Sequence, residues 1–234
     1  MRKSVNILST RPIDPSLIKI AGLKGIFIEV RSFIETLPVQ STTVIQEIEN
    51  VLSKSATVVF TSMNAVDVVS KHLNGYKPQW NIYSIGTTTD QLIKKYFGEN
   101  LIAGTAYNAA DLAALIVKDR FIDEVIFFCG NQRRDELPDI LRRNEIDVNE
   151  IEVYQTIAVP HKIDKNYSGI LFFSPSAVES FFSNNTINQQ TILFAIGNTT
   201  AEAIKPFSGN KIIISATPGK KKLAEQMIEY FGES

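Results

Sequence analysis

The sequence predicts an α/β protein of two similar units, each a parallel sheet flanked by helices. Three observations predict this. Short apolar runs alternate with helical patterns along the chain, two long stretches echo each other at a constant offset, and no low-complexity segment separates them. Strands covered on both faces read as unbroken apolar runs, and strands alternating with helices pair in parallel.

The strand candidates open with "VNILST" (5–10), "IFIEV" (26–30), "ATVVFTS" (56–62), "NIYSIG" (81–86) and "EVIFFCG" (124–130). "IEVYQTIAV" (151–159), "GILFFS" (169–174), "TILFAIG" (191–197) and "KIIISA" (211–216) follow. Most are rich in β-branched or aromatic residues. Helical patterns lie between them. Leu92, Ile93, Tyr96 and Phe97 of "TTDQLIKKYF" share one helical face, as do Leu112, Leu115 and Ile116 of "NAADLAALIV". "DELPDILRR", "SAVESFF", "TTAEAIKPF" and "KLAEQMIEYF" complete the set.

The repetition pairs "FTSMNAVDVV" (60–69) with "FFSPSAVESF" (172–181), and "SIGTTT" with "AIGNTT". Ser62 then matches Ser174, Gly86 matches Gly197, and Leu112-Ala113 match Leu223-Ala224, at an offset of 111–112 residues. A duplicated α/β unit gives such a spacing, whereas a solenoid repeat is far shorter. "VNILST" itself has a counterpart in "VIFFCG" (125–130). The boundary zones are extended rather than floppy: 29–39 and 149–159 both read as strands, a double connection that predicts a narrow hinge.

Bulk composition excludes several function classes. The 234 residues are 44% hydrophobic and 21% charged, ordinary for a globular chain. A formal net charge of −1 offers no global field for nucleic acid or an anionic membrane. Cys129 is the only cysteine, which excludes an internal disulfide and suits a reducing compartment. The start "MRKSVNILST" has a basic tip but too few apolar residues for a signal peptide, and no apolar run is long enough to cross a bilayer. The expectation is a cytoplasmic monomer.

Both Gly-x-Thr-Thr turns fall where a strand hands over to a helix, the place where open parallel sheets bind ligands. Glycine admits close backbone approach, a threonine hydroxyl can cap the helix, and the helix N-terminus favours carboxylate or phosphate. A lone Ser or Thr before a helix is most often only a cap, but four such strand ends in two units can wall one cleft suited to a polyacid. Cations near these ends are Arg11, Arg133-Arg134 and the run Lys220-Lys221-Lys222, which reads mainly as a solvated surface; Arg11 is the first choice. Phosphate-loop and dinucleotide-binding glycine motifs are missing, His72 and His161 lie apart, and Cys129 has no ligand partner at metal spacing. The chain reads as built to bind and shape a ligand.

In that order, "FTSMNAV", "SIGTTT", "FFCGNQRRDELPDIL", "VYQT", "FFSPSAVESF" and "AIGNTTAEAI" resemble the uroporphyrinogen-III synthase family, cyclases of tetrapyrrole (heme) biosynthesis, over nearly the whole chain. The resemblance implies two flavodoxin-like domains joined by a two-stranded connection: 1–31 with 157–234 as one, 37–150 as the other, 32–36 and 151–156 between. It implies a lyase closing hydroxymethylbilane, a linear tetrapyrrole bearing acetates and propionates, with loss of water. The terminal hydroxyl leaves to give an azafulvene, the substituted carbon of ring D attacks, and a spiro intermediate reopens and recloses with ring D inverted. Neither cofactor nor metal is needed. The substrate also closes unaided to the uninverted isomer, so the protein selects geometry by positioning and electrostatic support.

Residue by residue, Tyr154 of "VYQT" matches the tyrosine proposed to assist departure of the hydroxyl; its alternative is a packing residue at the junction. Thr61, Ser62, Thr88, Ser174, Ser176, Thr199 and Thr200 match cleft-lining positions, and Gly86 and Gly197 would allow close approach. The basic positions correspond poorly to the family pattern, so the carboxylate-binding cations are open. Two rival readings stand beside the cyclase: a non-catalytic tetrapyrrole-binding or regulatory module of the same fold, and a two-domain sugar or amino-acid receptor, against which the missing export signal counts.

Overall fold

The computed structural model describes residues 5–217 and 219–232; the basic tip at 1–4 lies outside them, as do 218, 233 and 234. Contacts divide the chain into unit 1, residues 1–35 with 157–234, and unit 2, residues 36–156.

Unit 1 begins with β1 (Val5–Ser9), α1 (Pro15–Leu23) and β2 (Ile26–Val30). Helix α1 starts where Asp14 accepts the Ser16 N–H at 2.8 Å and Pro15 takes the first helical position, where its missing N–H costs nothing. The boundary at Glu35 falls inside β3 (Ile34–Pro38), after which the chain enters unit 2.

Unit 2 continues through α2 (Thr42–Leu52), β4 (Ser55–Phe60), α3 (Met63–Ser70), β5 (Gln79–Ile85) and α4 (Thr87–Tyr96). A short 3-10 turn leads into β6 (Ile102–Ala106), α5 (Ala109–Lys118), β7 (Glu124–Gly130), α6 (Glu136–Arg143) and the long β8 (Asp147–Ala158). Among the described residues its sheet has the order β3-β8-β7-β4-β5-β6. The pairs from β8 to β6 are parallel. Strand β3 runs against β8, since Val39 N–H bonds to Val153 O and Val159 N–H to Phe33 O, each at 2.9 Å.

The apolar pattern assigns each helix its face. Ile48 and Leu52 of α2, Val66 and Val69 of α3 and Ile93 of α4 bury one face of the sheet with Phe60, Phe128 and Trp80. Leu92, Tyr96 and Phe97 pack on the same cluster, as the spacing predicts. Leu112, Ala113 and Ile116 of α5 join Leu137 and Leu141 of α6 on the other face. Here the expected stripe needs correction: Leu115 is exposed, and Ala113 takes the core position beside Leu112.

Back in unit 1 come β9 (Gly169–Phe172), α7 (Pro175–Phe182), β10 (Ile192–Ala195), α8 (Asn198–Ile204), β11 (Ile212–Ile214) and α9 (Lys220–Gly232). This sheet, β11-β10-β9-β1-β2, is parallel throughout. Helices α1 and α9 bury one face through Leu17, Ala21, Leu223 and Met227, and α7 and α8 the other through Val178, Phe181 and Ile204.

Apart from the edge strand β3, the two spatial orders are the same. Strands β2-β1-β9-β10-β11 correspond to β8-β7-β4-β5-β6, with β1 in the role of β7. The chain traverses them in permuted order: unit 1 makes its outer β-α-β first, unit 2 makes its own last. This explains why "VNILST" matches "VIFFCG" at a different offset from the rest.

Candidate functional site

In a sheet of this order, two adjacent strands send their helices to opposite faces, and the crevice between them lies beyond their C-terminal ends. In unit 2 these strands are β4 and β7, whose helices α3 and α6 lie in different core clusters. In unit 1 they are β9 and β1, followed by α7 and α1.

Unit 2 has a cavity of about 360 Å³ at that crevice. Thr61 and Ser62 line it from the end of β4, Gly130, Gln132, Arg133 and Arg134 from the end of β7, and Tyr154 from β8. Tyr107 and Asn108, ahead of α5, complete the rim, and Tyr107 is 90% exposed. Ser62 caps α3 by accepting the Asn64 N–H at 3.2 Å. The half-buried Tyr154 rests against the α3-side core, and its hydroxyl has no hydrogen-bond partner among the described residues. A phenol at a cavity wall with no internal acceptor is available to a ligand.

Arg133, by contrast, is already committed. It donates to the Glu150 and Asp135 carboxylates, and Arg142 binds the other Glu150 oxygen at 2.7 Å. Partial desolvation opposes the Arg133 charge, but these carboxylates outweigh it and raise the pKa. The group braces β8 more than it offers a vacant cation. Cys129, 4% exposed, has its thiol pushed up to about 11, chiefly by burial and secondarily by Glu150, so it is no nucleophile.

In unit 1 the crevice is drawn together by Thr10, whose N–H and hydroxyl both donate to Leu171 O, at 3.1 and 2.8 Å. Ser174 caps α7 through the Ala177 N–H at 3.3 Å and lies 3.2 Å from the Ser176 hydroxyl. Arg11, just past β1, is half-buried, and its guanidinium has no ion pair or hydrogen bond among the described residues. Its charged neighbour is Lys220 at the start of α9, whose pKa is lowered by desolvation first and by the Arg11 charge second. Lys221 and Lys222 instead pair with Glu225, at 3.9 and 3.0 Å. The lysine run therefore splits into two surface pairs and one residue that crowds Arg11.

The Gly-x-Thr-Thr turns differ from expectation in one respect. Gly86 and Gly197 are themselves the caps of α4 and α8, so no threonine stands at either cap position. The serines perform that task elsewhere. Thr88 and Thr199 are exposed, whereas Thr200 is buried, as is Thr89 in the matching turn. Gly86 has φ +87°, which a side chain resists, but Gly197 is extended at −175° and any residue could stand there. Gly86 and Thr88 fall outside the cavity lining, although Ile85 belongs to it. Thr61, Ser62 and Tyr154 are brought together; Arg11, Ser174, Ser176, Gly197, Thr199 and Thr200 belong to unit 1. Sequence reasoning passed over Tyr107 and Asn108; the step from strand β6 to the Asn108 cap of α5 was their available signal.

No described helix is long and apolar enough to cross a membrane. Among known proteins, the family model described as uroporphyrinogen-III synthase HemD matches residues 17–225. Two solved structures share the fold. One is a mutant uroporphyrinogen III synthase from the extremely thermophilic bacterium Thermus thermophilus, at 12% identity and TM-score 0.69, covering 97% of each chain. The other is a uroporphyrinogen-III synthetase from Helicobacter pylori, at 16% identity and TM-score 0.68, covering 97% of this chain and 99% of that one.

Proposed function

The chain belongs to the uroporphyrinogen-III synthase family of cyclising lyases, and from that premise we propose a division of labour between its two strand-end sets. The reaction closes hydroxymethylbilane to uroporphyrinogen III, expelling water and inverting ring D. Tyr154 meets the departing hydroxyl. Its phenol donates a hydrogen bond, or the proton itself, to the oxygen as the carbon–oxygen bond breaks and the azafulvene forms. Thr61 and Ser62, with the amides at the start of α3, hold substrate oxygens in the same cavity. The single observation that carries this reading is Tyr154 itself, lining the β4/β7 cavity with a hydroxyl that has no partner among the described residues.

Arg11 takes a substrate carboxylate in unit 1, assisted by Lys220. Two crowded cations are stabilised when an anion arrives, and Lys220 regains its proton affinity as it does so. Ser174, Ser176, Thr88 and Thr199, with the helix starts after Gly86 and Gly197, supply weaker contacts to the remaining acetates and propionates. Thr200 contributes through its backbone, since its side chain is buried. The protein works as a cytoplasmic monomer: its single cysteine, buried, suits a reducing compartment, and light scattering of the eluting protein tests the oligomeric state.

The decisive assay supplies freshly made hydroxymethylbilane and separates the oxidised isomers. The inverted isomer should form well above the spontaneous rate. Only the uninverted isomer, at the rate of the buffer control, would return the chain to the non-catalytic reading.

A further inference from the structure

We propose that Gly130 is a positioning residue for Tyr154, with Asn131 holding the strand that carries it; the inference rests on the reading of Tyr154 given above. A Cβ placed on Gly130 would lie under 3.0 Å from Cε2, Cζ and Cδ2 of Tyr154. Such distances are far inside van der Waals contact, and the atoms belong to a rigid ring rather than a flexible tip. Gly130 lies outside the left-handed region, so what this position demands is room. The phenol ring lies across the bare end of β7, and any side chain there would lever it aside.

The strand register explains how the ring comes to lie there. Cys129 is level with Glu152, but Gly130 is level with Tyr154, so β8 carries one extra residue at this step. A bulge of this kind re-aims side chains, and here Val153 and Tyr154 both pack towards the same core. The bulge is held from beyond the end of β7. Asn131 N–H bonds to Tyr154 O at 3.3 Å, while its side chain accepts the Thr156 N–H at 2.9 Å and donates to Thr156 O at 3.3 Å. The carboxamide thus continues the ladder one step past the last strand residue. Glycine leaves space for the ring and asparagine fixes the backbone beneath it.

The test combines Gly130→Ala, Tyr154→Phe, Tyr154→Ala and the double variant Gly130→Ala/Tyr154→Ala, assayed with hydroxymethylbilane, with urea unfolding of each. Gly130→Ala should lower kcat roughly 10- to 100-fold, as misplacing a reacting group by about an ångström does, with KM little changed and the uninverted isomer enriched. In the Tyr154→Ala background it should cost nothing further. If Gly130→Ala alone does not fold, the double variant should, because the clash is gone; failure of that rescue overturns the proposal. Equal losses of kcat in both backgrounds also overturn it, as does full activity of Gly130→Ala beside an impaired Tyr154→Phe. An unimpaired Tyr154→Phe removes the parent reading instead, and the proposal goes with it.

Discussion

The crevices of the two units are built on one strand order but equipped differently. Each has a serine-capped helix on one side, Ser62 on α3 or Ser174 on α7. On the other side, unit 2 ends β7 with a bare glycine that receives an aromatic ring, and a cavity remains. Unit 1 ends β1 with Thr10, bound twice to Leu171 O, and then with Arg11, unpaired among the described residues. Duplication preserved where the strands stop; the few residues after each stop set whether a phenol or a guanidinium is offered. On the proposed reading, unit 2 receives the reacting end of the substrate and unit 1 its carboxylates.

Substitutions can break this contrast at graded strength. Tyr154→Phe has the largest expected effect: removing a hydrogen bond or proton from the departing hydroxyl should lower kcat by about 100-fold. Its urea midpoint should stay put, because the hydroxyl has no partner among the described residues to lose. An unchanged kcat would take the phenol out of the reaction.

Arg11→Ala comes next. Losing one charged hydrogen bond of about 1.5–3 kcal/mol should raise KM by roughly 10- to 100-fold with kcat largely kept. Arg11→Lys should recover part of it. A fall in kcat at constant KM would place the guanidinium in the chemistry and blur the division between units.

The paired glycines sharpen the comparison at the level of stability. Gly86→Ala should destabilise by about 1 kcal/mol, because alanine resists φ +87°, whereas Gly197→Ala should be neutral within a few tenths. Urea unfolding measures both, and equal effects would mean that the two turns are alike after all.

The smallest effect concerns Cys129. Its thiol pKa is raised from 9.0 to about 11 by burial, so folding favours the protonated thiol. That contribution is complete below pH 9 and fades as pH climbs towards 11. A disulfide reagent at about pH 8 should leave the native thiol unmodified and react at once in urea. Rapid native labelling would contradict the burial.

The sequence was most legible where packing is uniform. Unbroken apolar strands such as β7 and β9, and the stripe of α4, read directly because burial on both faces demands such runs. Helices α1 and α2 were absent from the reading although their signals were present: Asp14-Pro15 opens one, and Ile48, Val51 and Leu52 line the other. Strand β6 was harder. Its "IAGTA" is small and glycine-bearing because Gly104 accepts the Tyr83 ring, 2.9 Å from where a Cβ would stand. At the site, Tyr154 was reached through family resemblance, but nothing local announced Gly130. A glycine that makes room for a ring arriving from another strand is invisible until the strands are paired.

The permuted traverse has a consequence for the newborn chain. Ile7 pairs with Gly169, so β1 has no inner neighbour until more than two thirds of the protein has been made. Everything unit 2 needs, from Thr36 to Thr156, emerges before that. The inserted lobe should therefore condense first on the ribosome while the leading strand waits, exposed and dependent on chaperones. Proteolysis of chains stalled near residue 195, where unit 2 has cleared the exit tunnel but Gly169 has not, should find the middle protected and the first thirty residues cut.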